Sequence, residues 1–188
     1  MMRNIKFYLV EIAVSMIAFT LFWYLNSYVN RLFEVNRSVS WLFLPAGLRI
    51  FLTLIFVYSG AIGLSLASLI IDYISFSEFD NITILGLVTI SGLAPLLSRL
   101  FVIHHFEVHP NLNNLSIKKL LAIILVFSLF SSGLHQLWFI ERNLGSGSWN
   151  SFIAMFFGDI FGSIVFIALV KYGVAGLRKK LQTTAASL

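Results

Sequence analysis

The chain contains no cysteine among its 188 residues, and that absence removes several kinds of chemistry at once. Disulfide bonds, thiolate metal sites, iron–sulfur clusters and cysteine nucleophiles are all excluded. Proline is scarce as well, with three residues. No nucleotide-binding loop, nucleophile elbow or zinc-protease motif is found. With no recognisable catalytic constellation, we predict that the chain is not an enzyme.

Charged residues are the next shortage, at 11%, whereas 59% of the residues are hydrophobic and 19 are phenylalanine. A soluble domain of this length could not bury so much apolar surface in its core. The net charge of +5 does not indicate nucleic-acid binding, because the basic residues flank apolar runs, where lipid headgroups and membrane topology account for them. We therefore predict an all-α, polytopic membrane helical bundle that contacts the lipid bilayer and no nucleic acid.

Six apolar runs predict six transmembrane helices. The first run and the last three reach the ~20 residues that a spanning helix needs. They would form a single bundle over residues 1–180, followed by a frayed cytoplasmic tail at 181–188. The runs are Phe7–Tyr28, Leu42–Tyr58, Ala61–Ile74, Ile82–Ile103, Leu120–Ile140 and Phe152–Tyr172.

The stretch from Trp41 to Ile74 must contain a break. As one helix it would be ~50 Å long, well beyond a hydrocarbon core of ~30 Å. Ser59–Gly60 is the expected turn, because glycine and serine favour turns. The piece that follows, Ala61–Ile74, is short, so we expect the third helix to be either a tight span or a re-entrant segment buried in protein.

The tryptophans and the basic residues indicate one orientation. With six spans and a cytoplasmic N-terminus, all four tryptophans would lie at the outer interface, which favours the indole ring. The basic clusters would be cytoplasmic, with Arg31, Arg37 and Arg142 as exceptions on the outside. The loop at 72–81 would be outside and has acidic residues but no Lys or Arg. We therefore expect a multi-pass protein of the bacterial inner membrane with both termini in the cytoplasm. The tryptophans are Trp23, Trp41, Trp138 and Trp149, and the basic residues are Arg3, Lys6, Lys118, Lys119, Arg178, Lys179 and Lys180.

Ionisable residues inside predicted spans are the candidate site residues, because such residues are costly and face the bundle interior. Comparing depths predicts two pairs, Glu11 with Arg99 and Arg49 with Asp159. Glu11–Arg99 is expected to be a structural ion pair, since a buried pair can serve specificity without chemistry. For Arg49–Asp159 two alternatives stay open, a structural pair or the marker of a ligand or partner pocket.

Two irregular backbone elements favour the pocket. Pro45 and Gly47 suit a helix start or break just before Arg49, and free N–H groups at such a start favour an anion. Gly158 and Gly162 flank Asp159 and allow close helix approach, as Gly60 and Gly63 do in the short third run.

The histidines invite a metal or haem interpretation, which we do not favour. His104, His105 and His109 follow the fourth span, but Pro110 disfavours helix at His109. His135 has no second histidine at its depth for a haem, so we place it in the polar pocket instead. We therefore expect no metal and no cofactor, and we interpret the polar stretch His104–Lys119 as a cytoplasmic contact surface.

The run Trp41–Arg49, WLFLPAGLR, followed by Gly60–Gly63, resembles the start of the membrane-associated sensor domains of bacterial signalling proteins, the MASE type. Phe157–Gly162 resembles the late-helix Gly/Asp element of those domains. The family fuses more membrane helices to a kinase or cyclase, and this chain has neither. The resemblance implies a sensory or accessory subunit of a larger membrane complex, whose output comes from another membrane protein.

The predicted architecture, six helices with a short third one, is similar to the substrate-binding subunit of energy-coupling-factor vitamin transporters. That similarity implies the alternative function, a small-molecule binding or transport subunit with a ligand near the outer surface. An intramembrane enzyme is a third hypothesis, which lacks a recognisable catalytic group.

Overall fold

The computed structural model describes residues 5–36 and 39–186 and shows an all-α helical bundle, as predicted. These residues form six helices and one small antiparallel hairpin. The helices are α1 Ile5–Asn30, α2 Pro45–Phe56, α3 Tyr58–Ser75, α4 Asn81–His105, α5 Ile117–Glu141 and α6 Trp149–Ala186, and the strands are β1 Glu34–Asn36 and β2 Val39–Ser40.

Five of the helices, α1, α3, α4, α5 and α6, are long and apolar enough to cross a membrane. Consecutive long helices run in opposite directions from α3 to α6, and α1 lies against α3. The hairpin sits beside the start of α6, so we call this side of the bundle the hairpin end and the side with the α4–α5 loop the far end. Helix α2 packs on α6, α3 and α4.

The predicted short third helix is wrong, because the short helix is α2. It has 12 residues, whereas α3 has 18. Pro45 stands at the first helical position, where its missing N–H removes no helical hydrogen bond, and residues 41–44 before it enter the bundle without forming a helix. A helix of 12 residues is ~18 Å long and the four residues before it reach at most ~14 Å, so together they can just match a ~30 Å hydrocarbon core.

The break between α2 and α3 lies at Val57, not at Ser59–Gly60. Val57 has φ 53° and ψ −113°, a conformation that a β-branched residue rarely adopts. Ser59 and Gly60 belong to the first turn of α3. A Cβ on Gly60 would lie 2.5 Å from the Leu52 carbonyl oxygen, so this glycine lets α3 fold back closely against α2. Gly63 has the same role against α1, where a Cβ would lie 2.6 Å from that of Ser15.

Helix α6 continues to Ala186, so it extends into residues 181–186, which were expected to belong to the tail. No proline interrupts the segment after Gly176, and its Leu, Arg, Lys and Gln residues are good helix formers. Residues 187–188 lie outside the described part of the chain, as do Arg3 and the side chains of Lys179 and Lys180.

The described tryptophans and charges divide between the two ends. Trp23, Trp138 and Trp149 belong to the portions of α1, α5 and α6 nearer the hairpin end, and Trp41 directly follows the hairpin. Lys6, Lys118 and Lys119 are at the far end, and Arg178 lies on the α6 extension that leaves the bundle there. Arg31 and Arg142 lie at the hairpin end, so basic residues are more numerous at the far end but are not confined to it.

Candidate functional site: a polar cavity at the hairpin end

A cavity of about 340 Å³ opens at the hairpin end and reaches into the bundle. Arg31 and Glu34 form its exposed rim, and Arg49 lies at its buried end. Its volume falls within the usual range for small-molecule sites, ~300–1,000 Å³. Each of the five long helices contributes to its wall through the part nearer the hairpin end. The other lining residues are Trp23, Asn26, Ser27, Ser40, Phe43, Ser68, Asp72, Ser75, Phe76, Leu87, Ser131, His135, Phe139, Met155 and Asp159.

The start of α2 inside the bundle depends on two glycines of α6. The Phe43 N–H donates a hydrogen bond to the Gly158 carbonyl at 3.1 Å. A Cβ on Gly158 would collide with the Ser40 carbonyl oxygen, and one on Gly162 would collide with that of Phe43. These glycines therefore bring the non-helical segment, rather than a second helix, against α6. Gly47 is equally close to Phe166, which sets the position of the first turn of α2.

Arg49, in the second turn of α2, is a buried cation held between two aromatic rings. Its Cζ lies 5.0 Å from the centre of the Phe19 ring and 5.3 Å from that of Phe43. The residue is 9% exposed, and no described residue accepts a hydrogen bond from its guanidinium. Cation–π contacts stabilise the charge but leave the five N–H donors of a guanidinium unused. Burying such donors without acceptors is costly, so the guanidinium is placed to bind an acceptor that enters the cavity.

Asp159 and Arg49 line the same cavity, but they do not form the expected direct pair. The Asp159 carboxylate is within electrostatic range of Arg49, yet no hydrogen bond or ion pair joins the two among the described residues. Asp159 is 3% exposed, and its Oδ2 has no hydrogen-bond donor. The reason for the difference is that α2 begins deep in the bundle, so equal depth along the sequence did not give contact.

Asp72 is a cavity residue that the sequence analysis assigned to the outer loop. It lies in the last turn of α3, is 7% exposed, and accepts a hydrogen bond from the Ser68 hydroxyl at 2.7 Å. Asp72 also lies within electrostatic range of Arg49. The Ser68–Asp72 spacing of four residues, which places both on one helix face, was the available sequence signal.

His135 and Asn26 complete the buried polar wall. The His135 Nδ1–H donates to the Ser131 carbonyl at 2.7 Å, and because a carbonyl only accepts, the proton must be on Nδ1. Nε2 of the neutral ring is then an acceptor. Ser131 also lies beside Asp159, so α5 places His135 and Asp159 near each other. Asn26 is 4% exposed, and its side-chain oxygen has no donor.

The part of the chain that the structure describes shows no ion pair between Glu11 and Arg99. The Arg99 Nη2 donates instead to the Pro110 carbonyl at 3.0 Å, in the α4–α5 loop. Helix α3 packs against both α1 and α4, which carry the two residues. The α4–α5 loop therefore folds back against the bundle and supplies a partner for Arg99. The comparison of depths had predicted Glu11 as that partner.

At the hairpin end, outside the cavity lining, a hydrogen-bonded group joins α4 to α5. Arg142 donates through Nη2 to Asp80 at 2.7 Å and through Nε to the Thr83 hydroxyl at 3.0 Å. The Thr83 hydroxyl in turn donates to Asp80, which caps α4. The Trp138 indole N–H donates to the Thr83 carbonyl at 3.0 Å. These bonds, the Thr83 hydroxyl above all, hold the pKa of the Asp80 carboxyl below its ordinary value.

The far-end histidines lie in a loop held by local bonds. His105 stacks on Phe101 at 4.2 Å and shares a hydrogen bond with its carbonyl. The His109 backbone N–H donates a hydrogen bond to the Asn114 side-chain oxygen. Within residues 5–36 and 39–186, no group of three or more His, Asp or Glu residues lies close enough to hold a metal ion.

No protein-family model, curated protein or solved structure matches this sequence. The site must therefore be interpreted from its own geometry. That geometry belongs to a class of site found in membrane bundles, a polar cavity of ligand size whose buried charges lack partners within the protein.

Proposed function

We propose that this chain is a non-catalytic membrane protein that binds a small polar molecule in the cavity at the hairpin end, as a binding or transport subunit. The observation that carries the proposal is the Arg49 guanidinium, which is buried in a cavity of ligand size with its donors unused. An arginine that served only to stabilise the fold would have an acceptor within the protein, as Arg99 has in the Pro110 carbonyl of the α4–α5 loop. A bound anionic group would supply the missing acceptors and contribute charge-assisted hydrogen bonds.

The broken crossing supports the same proposal. Non-helical backbone at membrane depth is tolerated where it is buried in protein or lines a cavity, and discontinuous helices form the substrate sites of many transporters. Residues 41–44 are such a segment, and α2 begins beside the cavity with its N-terminal end directed to the side from which the segment enters. The positive end of the helix dipole adds to the attraction of Arg49 for an anion.

The test is the release of bound small molecules from protein purified in mild detergent. Wild-type protein should release a polar compound on denaturation, identified by mass spectrometry, and Arg49→Met should release none. Lys118→Met is the matched control, since it removes the same charge from an exposed far-end position and should retain the compound. Equal retention by Arg49→Met and wild type would contradict the proposal.

We also propose that the protein lies in the bacterial inner membrane with the cavity facing outward and both termini in the cytoplasm. The support is the excess of lysine at the far end and the four tryptophans toward the hairpin end. Because the chain has no native cysteine, single cysteines can report each side. An impermeant maleimide should label Gly145→Cys in intact cells and Asn113→Cys only after lysis. The reverse pattern would invert the orientation.

A sensory or accessory subunit of a larger complex is the second candidate, favoured by the α6 extension. Helix α6 has 38 residues, and those from Lys171 to Arg178 are exposed. Gly173 and Gly176 have no neighbouring atoms where a Cβ would stand. A membrane protein partner could pack on this surface. Truncation after Val170 should then release a co-purifying protein while the cavity ligand stays bound, whereas an unchanged set of co-purifying proteins would remove this candidate.

A further inference from the structure

The cavity presents two opposite buried charges, and each keeps at least one buried polar atom without a hydrogen-bond partner among the described residues. Arg49 comes from α2 and has no hydrogen-bond acceptor among the described residues. Asp159 comes from α6, and its Oδ2 has no donor. Resting on the proposed function, we infer that the ligand is a small zwitterion of the amino-acid class, whose carboxylate binds Arg49 and whose ammonium group binds Asp159.

An anion without a positive group fits the cavity poorly. It would satisfy Arg49 but would leave the Asp159 oxygen buried without a donor. It would also add a negative charge near Asp159 and Asp72, both of which are within electrostatic range of Arg49. A cation alone has the opposite fault, since it would bind Asp159 and leave the Arg49 donors unused. A zwitterion supplies both missing groups and adds no net charge to the site.

Asp159, rather than Asp72, is the site for the ammonium group. Asp72 already accepts the Ser68 hydroxyl at 2.7 Å, whereas Asp159 retains an oxygen without a donor. An ammonium group has three N–H donors. With its proton on Nδ1, His135 can offer Nε2 as a second acceptor, and Ser131 places the two residues near each other. Asp159 and His135 thus form a group of acceptors within electrostatic range of the Arg49 guanidinium.

The remaining wall favours a ligand with an apolar side chain. Trp23, Phe43, Leu87, Phe139 and Met155 line the cavity between and around the polar groups. A charged ligand side chain would have to be buried against them without a dedicated partner. We therefore expect amino acids with aliphatic or aromatic side chains to bind more tightly than acidic or basic ones.

The experiment measures binding of each common amino acid to the wild-type protein in detergent, by the shift in melting temperature and by the change in tryptophan fluorescence. The best binder is then compared with its decarboxylated amine and its deaminated carboxylic acid; for leucine these are 3-methylbutylamine and 4-methylpentanoate. Each analogue should bind at least roughly a hundredfold more weakly, because each leaves one buried charge of the site unpaired. This comparison uses wild-type protein, so it does not depend on whether a variant folds.

Two variants assign the ends of the ligand. Arg49→Met should make the amino acid bind no better than its amine, and Asp159→Asn should make it bind no better than its carboxylic acid. Lys118→Met should keep the wild-type preference, since Lys118 is exposed at the far end.

The outcomes separate this inference from the proposed function. If the carboxylic acid binds as tightly as the amino acid, or if acetate or inorganic phosphate binds in the cavity and no amino acid does, the zwitterion is wrong and small-molecule binding stands. If neither amino acids nor anions bind and no compound is released on denaturation, both proposals are overturned.

Discussion

Arg49 at the hairpin end and Arg99 at the far end are both buried arginines in apolar helices, and they differ in what surrounds them. Arg99 is 6% exposed and donates to the Pro110 carbonyl, because the α4–α5 loop folds against it. Arg49 is 9% exposed and faces a cavity, with aromatic rings beside it and no acceptor. Burial alone therefore does not distinguish a structural charge from a functional one; the presence of a partner within the protein does.

The same contrast holds for the two halves of the bundle. Around Arg99 the interior is filled by an apolar cluster that includes Val102, Val108 and Ile123. Around Arg49 the interior instead contains a cavity of about 340 Å³, where a ligand could supply the acceptors that the guanidinium lacks. Leaving such a group unsatisfied lowers stability, and proteins concentrate this kind of cost at functional sites.

The largest effect should come from Gly162→Ala. This substitution would displace residues 42–44, which shape the cavity, and would remove the difference between the two halves of the bundle. A Cβ at this position collides with backbone atoms of Phe43 and Leu44, which cannot turn away as a side chain could. We expect a loss of about 3 kcal/mol in the free energy of unfolding, measured by thermal melts in detergent, together with loss of ligand binding. Gly173→Ala, in the same helix but with open space around it, is the control and should stabilise by up to ~1 kcal/mol. Equal effects at the two glycines would mean that residues 42–44 do not lie against α6.

An intermediate effect should separate the two arginines directly. Arg99→Met should lower the free energy of unfolding by roughly 1–3 kcal/mol, because the Pro110 carbonyl loses its charged donor. In ligand-free protein, Arg49→Met should cost less, since it removes a buried cation with no acceptor and replaces it with an apolar side chain of similar length. Melts of both variants beside Lys118→Met give the comparison. A greater loss for Arg49→Met than for Arg99→Met would show that Arg49 is a structural residue.

The smallest effect concerns the hydrogen-bonded group of Asp80, Thr83 and Arg142. The pKa of Asp80 is held below its ordinary value by Thr83 and Arg142, so its contribution to stability is present above the unfolded pKa and is lost as pH falls through the folded pKa. Melting temperature should therefore fall as the pH is lowered below ~4, and Asp80→Asn should reduce that part of the pH dependence. Lys118→Met, which removes no carboxyl group, is the control and should keep the wild-type pH profile. An unchanged pH profile in Asp80→Asn would show that the bonds from Thr83 and Arg142 to Asp80 contribute nothing measurable.

The sequence was sufficient for the helical class and for most helix bounds. Long apolar runs leave the backbone only helical hydrogen bonds, and Pro45 marked the start of α2 correctly. It was not sufficient for the α2–α3 break, where the residues at Ser59–Gly60 suggested a turn. Gly60 serves instead for close packing on Leu52, and Val57 adopts the positive φ. A glycine needed for a turn and a glycine needed for close contact look alike until the neighbouring helix is placed.

For the candidate site too, some features could be predicted from the sequence and others could not. Sequence by itself determined that Arg49, Asp159 and His135 would be buried, because ionisable residues in apolar runs face the interior. Only the tertiary structure decided their partners: Arg99 bonds the far-end loop, Asp72 joins the cavity, and Arg49 and Asp159 share a cavity without touching. The physical reason is that burial follows from local hydrophobicity along one segment. Pairing depends on the distance between segments, and here that distance is set by the close backbone contact of residues 40–44 with α6.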